Sequence, residues 1–201
     1  MDFTDLSHDL EHPAVDAFLS AVDHSMNSNT LLLKIAVEVP VTAENRQHVL
    51  HAFLRTGLFE KMMLAADRSR DWYNLSDDFD GVCIERPLLR DGFRATVGPL
   101  DHAEFLAKLR WMLCEAFSPY NQHYAGTEAE RLVHDFAHQL LGTSGSAWLF
   151  ASVAPDFLRS TGYYTDEEPL RPAYFDGSDS DTATFIHRDH VCYLLLTNGC
   201  P

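Results

Sequence analysis

The sequence predicts an α+β fold: an antiparallel or mixed sheet with about four helices packed on it, ending in a C-terminal β-hairpin. Three observations lead there. Apolar residues recur at helical spacing in four segments that carry a start or stop signal. Short aliphatic runs with a period of two, or bounded by turn residues, lie between them. The two kinds of segment do not alternate regularly and no internal repeat is present, so a parallel array of strand–helix–strand units is not expected.

Pro13 suits the first turn of a helix, and Val15, Phe18, Leu19 and Val22 then fall on one stripe. Asn27-Ser28-Asn29-Thr30 breaks it. Leu31 to Val39 reads as a strand, with Leu31, Leu33, Ile35, Val37 and Val39 on one face and Lys34 and Glu38 on the other. Pro40 is expected to end it by removing a ladder donor. Thr42 is the expected cap of a second helix bearing Val49, Leu50, Phe53 and Leu54, closed by Gly57. Phe59–Ala66 fits helix or strand, Asp77–Gly81 reads as a turn, and Val82–Glu85 and Phe93–Val97 are short strand candidates.

Asp101-His102-Ala103-Glu104 has capping-box spacing and precedes Phe105, Leu106, Leu109, Leu113 and Phe117 on one face. Thr127-Glu128-Ala129-Glu130 repeats the signature before Leu132, Val133, Phe136 and Leu140, with Gly142 as the stop. Ala147–Val153 reads as a buried strand. Thr182–Ile186 and Val191–Thr197 are expected to pair as the hairpin across His187-Arg188-Asp189-His190. One domain over residues 1–201 is expected; if the chain has two lobes, they join near 119–126.

Composition narrows the function classes. Of the 201 residues, 46% are hydrophobic and 22% charged, the balance of a chain that folds. No apolar stretch approaches the ~18–20 residues of a membrane-spanning helix. The start, Met1-Asp2-Phe3-Thr4-Asp5, is acidic and lacks the features of a secretory signal, so a cytoplasmic location is expected. Cys83, Cys114, Cys192 and Cys200 contain no C-x-x-C pair, and reduced thiols are expected, with Cys114 in the core and Cys200 exposed.

Thirty acidic residues against fifteen Lys and Arg give a net charge of −15. Such a field repels nucleic acid and anionic lipid and speeds encounter with basic proteins. Asp2, Asp5, Asp9, Glu11, Asp16 and Asp23 precede the first basic residue, Lys34. A second acidic region holds Asp166, Glu167, Glu168, Asp176, Asp179 and Asp181, with only Arg171 opposing. Trp72-Tyr73 and Tyr163-Tyr164 lie beside acidic segments, the pairing of a surface that grips Lys and Arg.

The sharpest chemical candidate is His134-Asp135-Phe136-Ala137-His138. Histidines four apart on a helix stand one turn apart on the same side and can reach one metal ion. The segment resembles a zincin helix over about a dozen residues. That resemblance implies zinc on His134 and His138, and a carboxylate base at Asp135 where the motif has the longer Glu. A third ligand is unmarked; His123, Glu167, Glu168, His187 and His190 are the candidates. On the helical wheel, Leu132, Val133, Phe136, Ala137 and Leu140 form the buried face and the two histidines flank it.

Other motifs carry less. His48 and His51 sit among core residues. Asp176–Asp181 lacks the order of a calcium loop and the bidentate Glu that must follow it. Gly142-Thr143-Ser144-Gly145-Ser146 follows a helix and is not G-x-S-x-G, which excludes a nucleophile elbow. Arg86, Arg90 and Arg94 are interrupted by Pro87 and Gly92. No phosphate-binding or dinucleotide fingerprint is present.

The leading expectation is a non-enzymatic acidic binding protein that occupies a basic protein partner, with Tyr163, Tyr164, Asp166, Glu167 and Glu168 as the first candidate surface and no cofactor. Immunity proteins, antitoxin-like inhibitors and DNA mimics are similar in charge and size, not in motif. The alternatives are a zinc-dependent hydrolase built on His134, Asp135 and His138, and a domain whose charge serves solubility alone.

Overall fold

In the computed structural model, the described residues are 1–70, 89–90, 92–116, 123–143, 147–158, 174–175 and 180–199, without the side chains of residues 67 and 70. Helix α1 (Pro13–Met26) begins where the sequence places it. His12 caps it, its Nδ1 accepting the Ala14 N–H at 3.1 Å. Val15, Phe18, Leu19 and Val22 are all buried, so the predicted stripe is the packing face. The helix stops at Asn27, whose φ of 53° is the left-handed cap. Asp23 then organises the turn: its Oδ1 accepts the Thr30 N–H at 2.7 Å and the Ser28 hydroxyl at 3.3 Å.

Among the described residues the sheet has five antiparallel strands in the order β1-β2-β5-β4-β3. They are β1 (Phe3–Asp5), β2 (Asn29–Val41), β3 (Val97–Leu100), β4 (Leu149–Val153) and β5 (Thr182–Asn198). Strand β2 runs through Pro40 instead of ending there. Its ladder with β5 is regular from Asn29 to Ala36 and shifts register before Val41, so the missing donor falls where pairing is already interrupted. Phe93–Val97 contributes only its last residue to β3, and Ala147–Val153 enters the sheet only from Leu149.

The α+β class stands, but the C-terminal hairpin does not. Thr182–Ile186 and Val191–Thr197 are two halves of the single 17-residue strand β5. The first half pairs with β4 and the second with β2. The polar segment between them is a kink. Asp189 has φ 49°, and the inward phase changes there: Ala183 and Phe185 share a face with Cys192, Leu194 and Leu196. An unbroken strand would keep odd positions together, so this is one inserted residue, a bulge. Its neighbours are all used. His187 is buried, Arg188 lies 4.6 Å over the Trp148 ring, and His190 Nδ1 donates to the Val37 carbonyl at 2.9 Å.

Five helices among the described residues cover both faces. Helices α2 (Arg46–Leu54) and α3 (Gly57–Arg70) lie on one, burying Val49, Leu50, Phe53, Phe59, Met62 and Met63 against Leu31, Leu33 and Ile35. Residues 59–66 are thereby helical. Helices α1, α4 (His102–Cys114) and α5 (Gly126–Leu141) lie on the other, around Phe18, Phe105 and Phe136. Thr42 does not cap α2: Asn45 precedes the helix, and Thr42 instead closes a turn in which Asn45 Oδ1 accepts the Thr42 N–H at 2.8 Å. Gly57 does not end α2 either; Arg55 is its last cap and Gly57 opens α3.

The first capping box forms as predicted. Asp101 Oδ1 accepts the Glu104 N–H and Glu104 Oε2 accepts the Asp101 N–H, each at 2.7 Å. Asp101→Ala removes a backbone partner at the start of α4 and is expected to cost about 1 kcal/mol in a urea unfolding curve. A loss within error of zero would mean that the cap does not stabilise the native state. The second box does not form. Helix α5 starts at Gly126, which leaves Thr127 inside its first turn. Glu130 is held instead by Arg110 across α4 and α5, through Nε at 2.6 Å and Nη2 at 2.9 Å. A bidentate charged pair outcompetes a neutral cap.

Candidate functional site

Helix α5 presents His134 and His138 on its exposed edge. Leu132, Val133, Phe136, Ala137 and Leu140 bury the opposite side, as the helical wheel predicts. The two imidazoles lie almost parallel, with planes 17° apart and centroids 6.0 Å apart. Asp135 Oδ1 stands 3.2 Å from His134 Nδ1, and Arg131 reaches the other Asp135 oxygen at 3.5 Å. Asp135 is thus paired within its own helix.

The pair forms a ridge between two shallow grooves. One, of about 570 Å³, runs to the start of α1 and is lined by His12, Pro13, Arg131, His134, Asp135 and His138. The other, of about 330 Å³, runs to the start of α4, where His102 also lines it and stacks on Phe150 at 5.6 Å. His12 is committed through Nδ1 to the α1 cap.

No third ligand joins the pair among the described residues. Among the described residues, no group of three His, Cys, Asp or Glu side chains is placed to hold a metal ion. His187 follows the alternation of Ala183 and Phe185 toward the face beneath α2 and α3, opposite α5, and stacks on Phe185 at 5.5 Å. His190 is tied to Val37. Glu130, one turn before His134, is tied to Arg110, which holds its carboxyl below the usual carboxylate range. Glu167 and Glu168 lie outside the described residues, as do Tyr163, Tyr164 and Asp166. The zincin-like arrangement therefore lacks its third ligand among the described side chains.

The N-terminal acids divide into two sets. Asp9 bonds Lys34 Nζ at 2.7 Å, which holds its carboxyl below the usual range, and Asp23 is buried in the α1–β2 turn. These two are structural. Asp2, Asp5, Glu11 and Asp16 are exposed and form no ion pair with another described residue. A feature invisible in the sequence joins them: Asp2 lies opposite Glu38. The β1–β2 register runs from Asp5↔Ile35 to Phe3↔Val37, and the Glu38 N–H donates to the Asp2 carbonyl at 3.1 Å. Two acidic residues therefore stand directly opposite each other on one face at the edge of the sheet.

No protein-family model, curated protein or solved structure matches this chain. Its function must be read from its own side chains. No helix among the described residues is long and apolar enough to cross a membrane.

Two desolvated bases, one half-buried and one fully buried, complete the electrostatics. Burial pushes the Lys108 ammonium down to about 8, and its Nζ donates to the Ala183 carbonyl at 3.2 Å. Burial likewise pushes His187 down to about 4; the Val41 backbone partly opposes this, but neither ring nitrogen makes a hydrogen bond of full geometry. Cys192 is the buried thiol, pushed up to about 12 by desolvation, whereas Cys114 is only half-buried. Neither is an activated nucleophile.

Proposed function

We propose that this chain is a non-enzymatic acidic binding protein that occupies a basic protein partner in the cytoplasm. The observation that carries the proposal is the Asp2–Glu38 apposition. Like charges directly opposite on neighbouring strands destabilise a sheet. Lys34, the nearest basic residue of β2, is already taken by Asp9. A Lys or Arg from a partner, set between Asp2 and Glu38, turns repulsion into two attractive contacts. Asp5, Glu11 and Asp16 are further exposed carboxylates in the same N-terminal stretch. The −15 net charge steers a cationic partner toward this edge and keeps nucleic acid away.

The test is capture from an extract of the native cell. A basic protein should be retained at low salt and released at high salt, because the Debye length falls from ~10 Å at 0.1 M to ~3 Å at 1 M. With that partner purified, the variant D2N/E38Q should slow association by roughly tenfold while the dissociation rate changes less. The triple variant D166A/E167A/E168A asks the same of the second acidic region. If both variants associate at the unmodified rate, neither region is the binding face. If no basic protein is captured at any salt, the charge serves solubility.

A further inference from the structure

We propose that His134 and His138 form a surface chelate for a divalent transition cation (Zn²⁺, Ni²⁺ or Cu²⁺) with two protein nitrogens as ligands. This does not depend on the partner proposed above. The near-parallel rings lie 6.0 Å apart on one helix face. Rotating these exposed side chains to bring the rings ~1 Å closer lets both nitrogens meet one ion at about 2.0–2.1 Å. Helix α5 needs no rearrangement, because Leu132, Val133, Phe136 and Leu140 already hold it against the core. The ligands are thus presented on a rigid element, and little ordering entropy opposes binding.

Asp135 does for His134 what an outer carboxylate does for a metal-bound histidine. At 3.2 Å from Nδ1 it favours the tautomer with the proton on that nitrogen, leaving the Nε2 lone pair for the ion. Arg131 is drawn to Asp135 at 3.5 Å, which offsets part of its repulsion of a cation. The net charge of −15 raises the local concentration of cations. The other metal-binding side chains nearby are held elsewhere. Glu130 is clamped by Arg110, His12 caps α1 through Nδ1, and His102 stacks on Phe150. Water or a partner's side chain fills the remaining positions. Such a site binds an ion without closing around it, and its preference follows the general order, with Cu²⁺ tightest.

Calorimetric titration of the untagged full chain with NiCl₂ and with ZnCl₂ tests this. One ion per chain is expected at pH 7.5. His134→Gln and His138→Gln should each weaken binding about tenfold or more, since either removes half of the chelate. Asp135→Asn should weaken it by about tenfold through the second shell. Lowering the pH to 5.5 should weaken it because protons compete for the nitrogens. The double variant H48Q/H51Q and the single variant H12Q should leave binding unchanged. Both α5 histidines are exposed, so circular dichroism should report an intact fold in every α5 variant. Full affinity in either α5 histidine variant overturns the proposal, as does an equal loss in H12Q.

Discussion

Replacing His187 with leucine is expected to flatten the acid limb of the stability curve. The His187 ring is fully buried on the sheet face beneath α2 and α3, stacks on Phe185, and makes no hydrogen bond of full geometry through either nitrogen. Desolvation is the main cause of its depressed value of about 4; the Val41 backbone partly opposes the shift and the Arg46 guanidinium adds to it. In the unfolded chain the value returns to about 6.5. Above pH ~6.5 the ring is neutral in both states and contributes no pH dependence. As pH falls from ~6.5 toward 4, the unfolded chain takes up a proton that the folded chain refuses, so stability drops across that window. The total is about 2–3 kcal/mol after allowance for solvent screening. Leucine takes up no proton and leaves no unpaired buried nitrogen. Urea curves at pH 4.5 and pH 8 should therefore differ less for His187→Leu than for the unmodified chain, by about 2 kcal/mol. Equal differences would mean that His187 does not govern acid lability.

The elements legible in the sequence were those whose signal is local. A proline at a first turn, an apolar stripe at 3.6-residue spacing and a reciprocal Asp101–Glu104 pair each specify structure within a dozen residues. Helices α1, α4 and α5 follow from them. The errors share a different cause. Thr127 and Glu130 have capping-box spacing, but a tertiary partner, Arg110, takes the carboxylate. Pro40 should end a strand, but a bulge makes its missing donor harmless. His187-Arg188-Asp189-His190 has turn composition, yet no glycine or proline compels a reversal. The segment bends within one strand because β4 and β2 flank its two halves. The trace of that bend was present in the sequence as a change of apolar phase from Phe185 to Cys192. A change of phase signals a bulge as readily as a turn.

The candidate site divides along the same line. The histidine pair was legible because helical geometry alone places residues four apart together. Its lack of a third ligand among the described residues was not, since that depends on which face of the sheet receives His187 and on what Glu130 bonds. The Asp2–Glu38 apposition depends on pairing between residues 36 positions apart and has no signature in either segment. Lys108 was unmarked for the same reason. Its spacing on α4 says that it borders the apolar face, but not that the Ala183 carbonyl accepts from its Nζ.

Phe136→Ala should be the most damaging of these substitutions. Phe136 is fully buried on the inward side of α5 and stacks on Phe18 of α1, with centroids 4.2 Å apart and planes 20° apart. Truncation removes the apolar transfer energy, leaves a cavity between two helices and breaks the ring pair, a loss of about 3–5 kcal/mol. Against a total of about 5–15 kcal/mol for a domain, that brings the chain close to unfolding. Phe136→Leu keeps most of the volume and should cost about 1.5 kcal/mol, which leaves a measurable folded protein. Phe18→Ala should cost about as much as Phe136→Ala, and the double variant less than their sum, because each single change already breaks the shared contact. Strict additivity would mean that the two rings do not act together. The same series separates scaffold from site. Phe136 and the two histidines occupy opposite sides of α5, so Phe136→Leu should lower stability and leave Ni²⁺ affinity unchanged. If affinity falls with stability, the ion is held by something other than the outer edge of this helix.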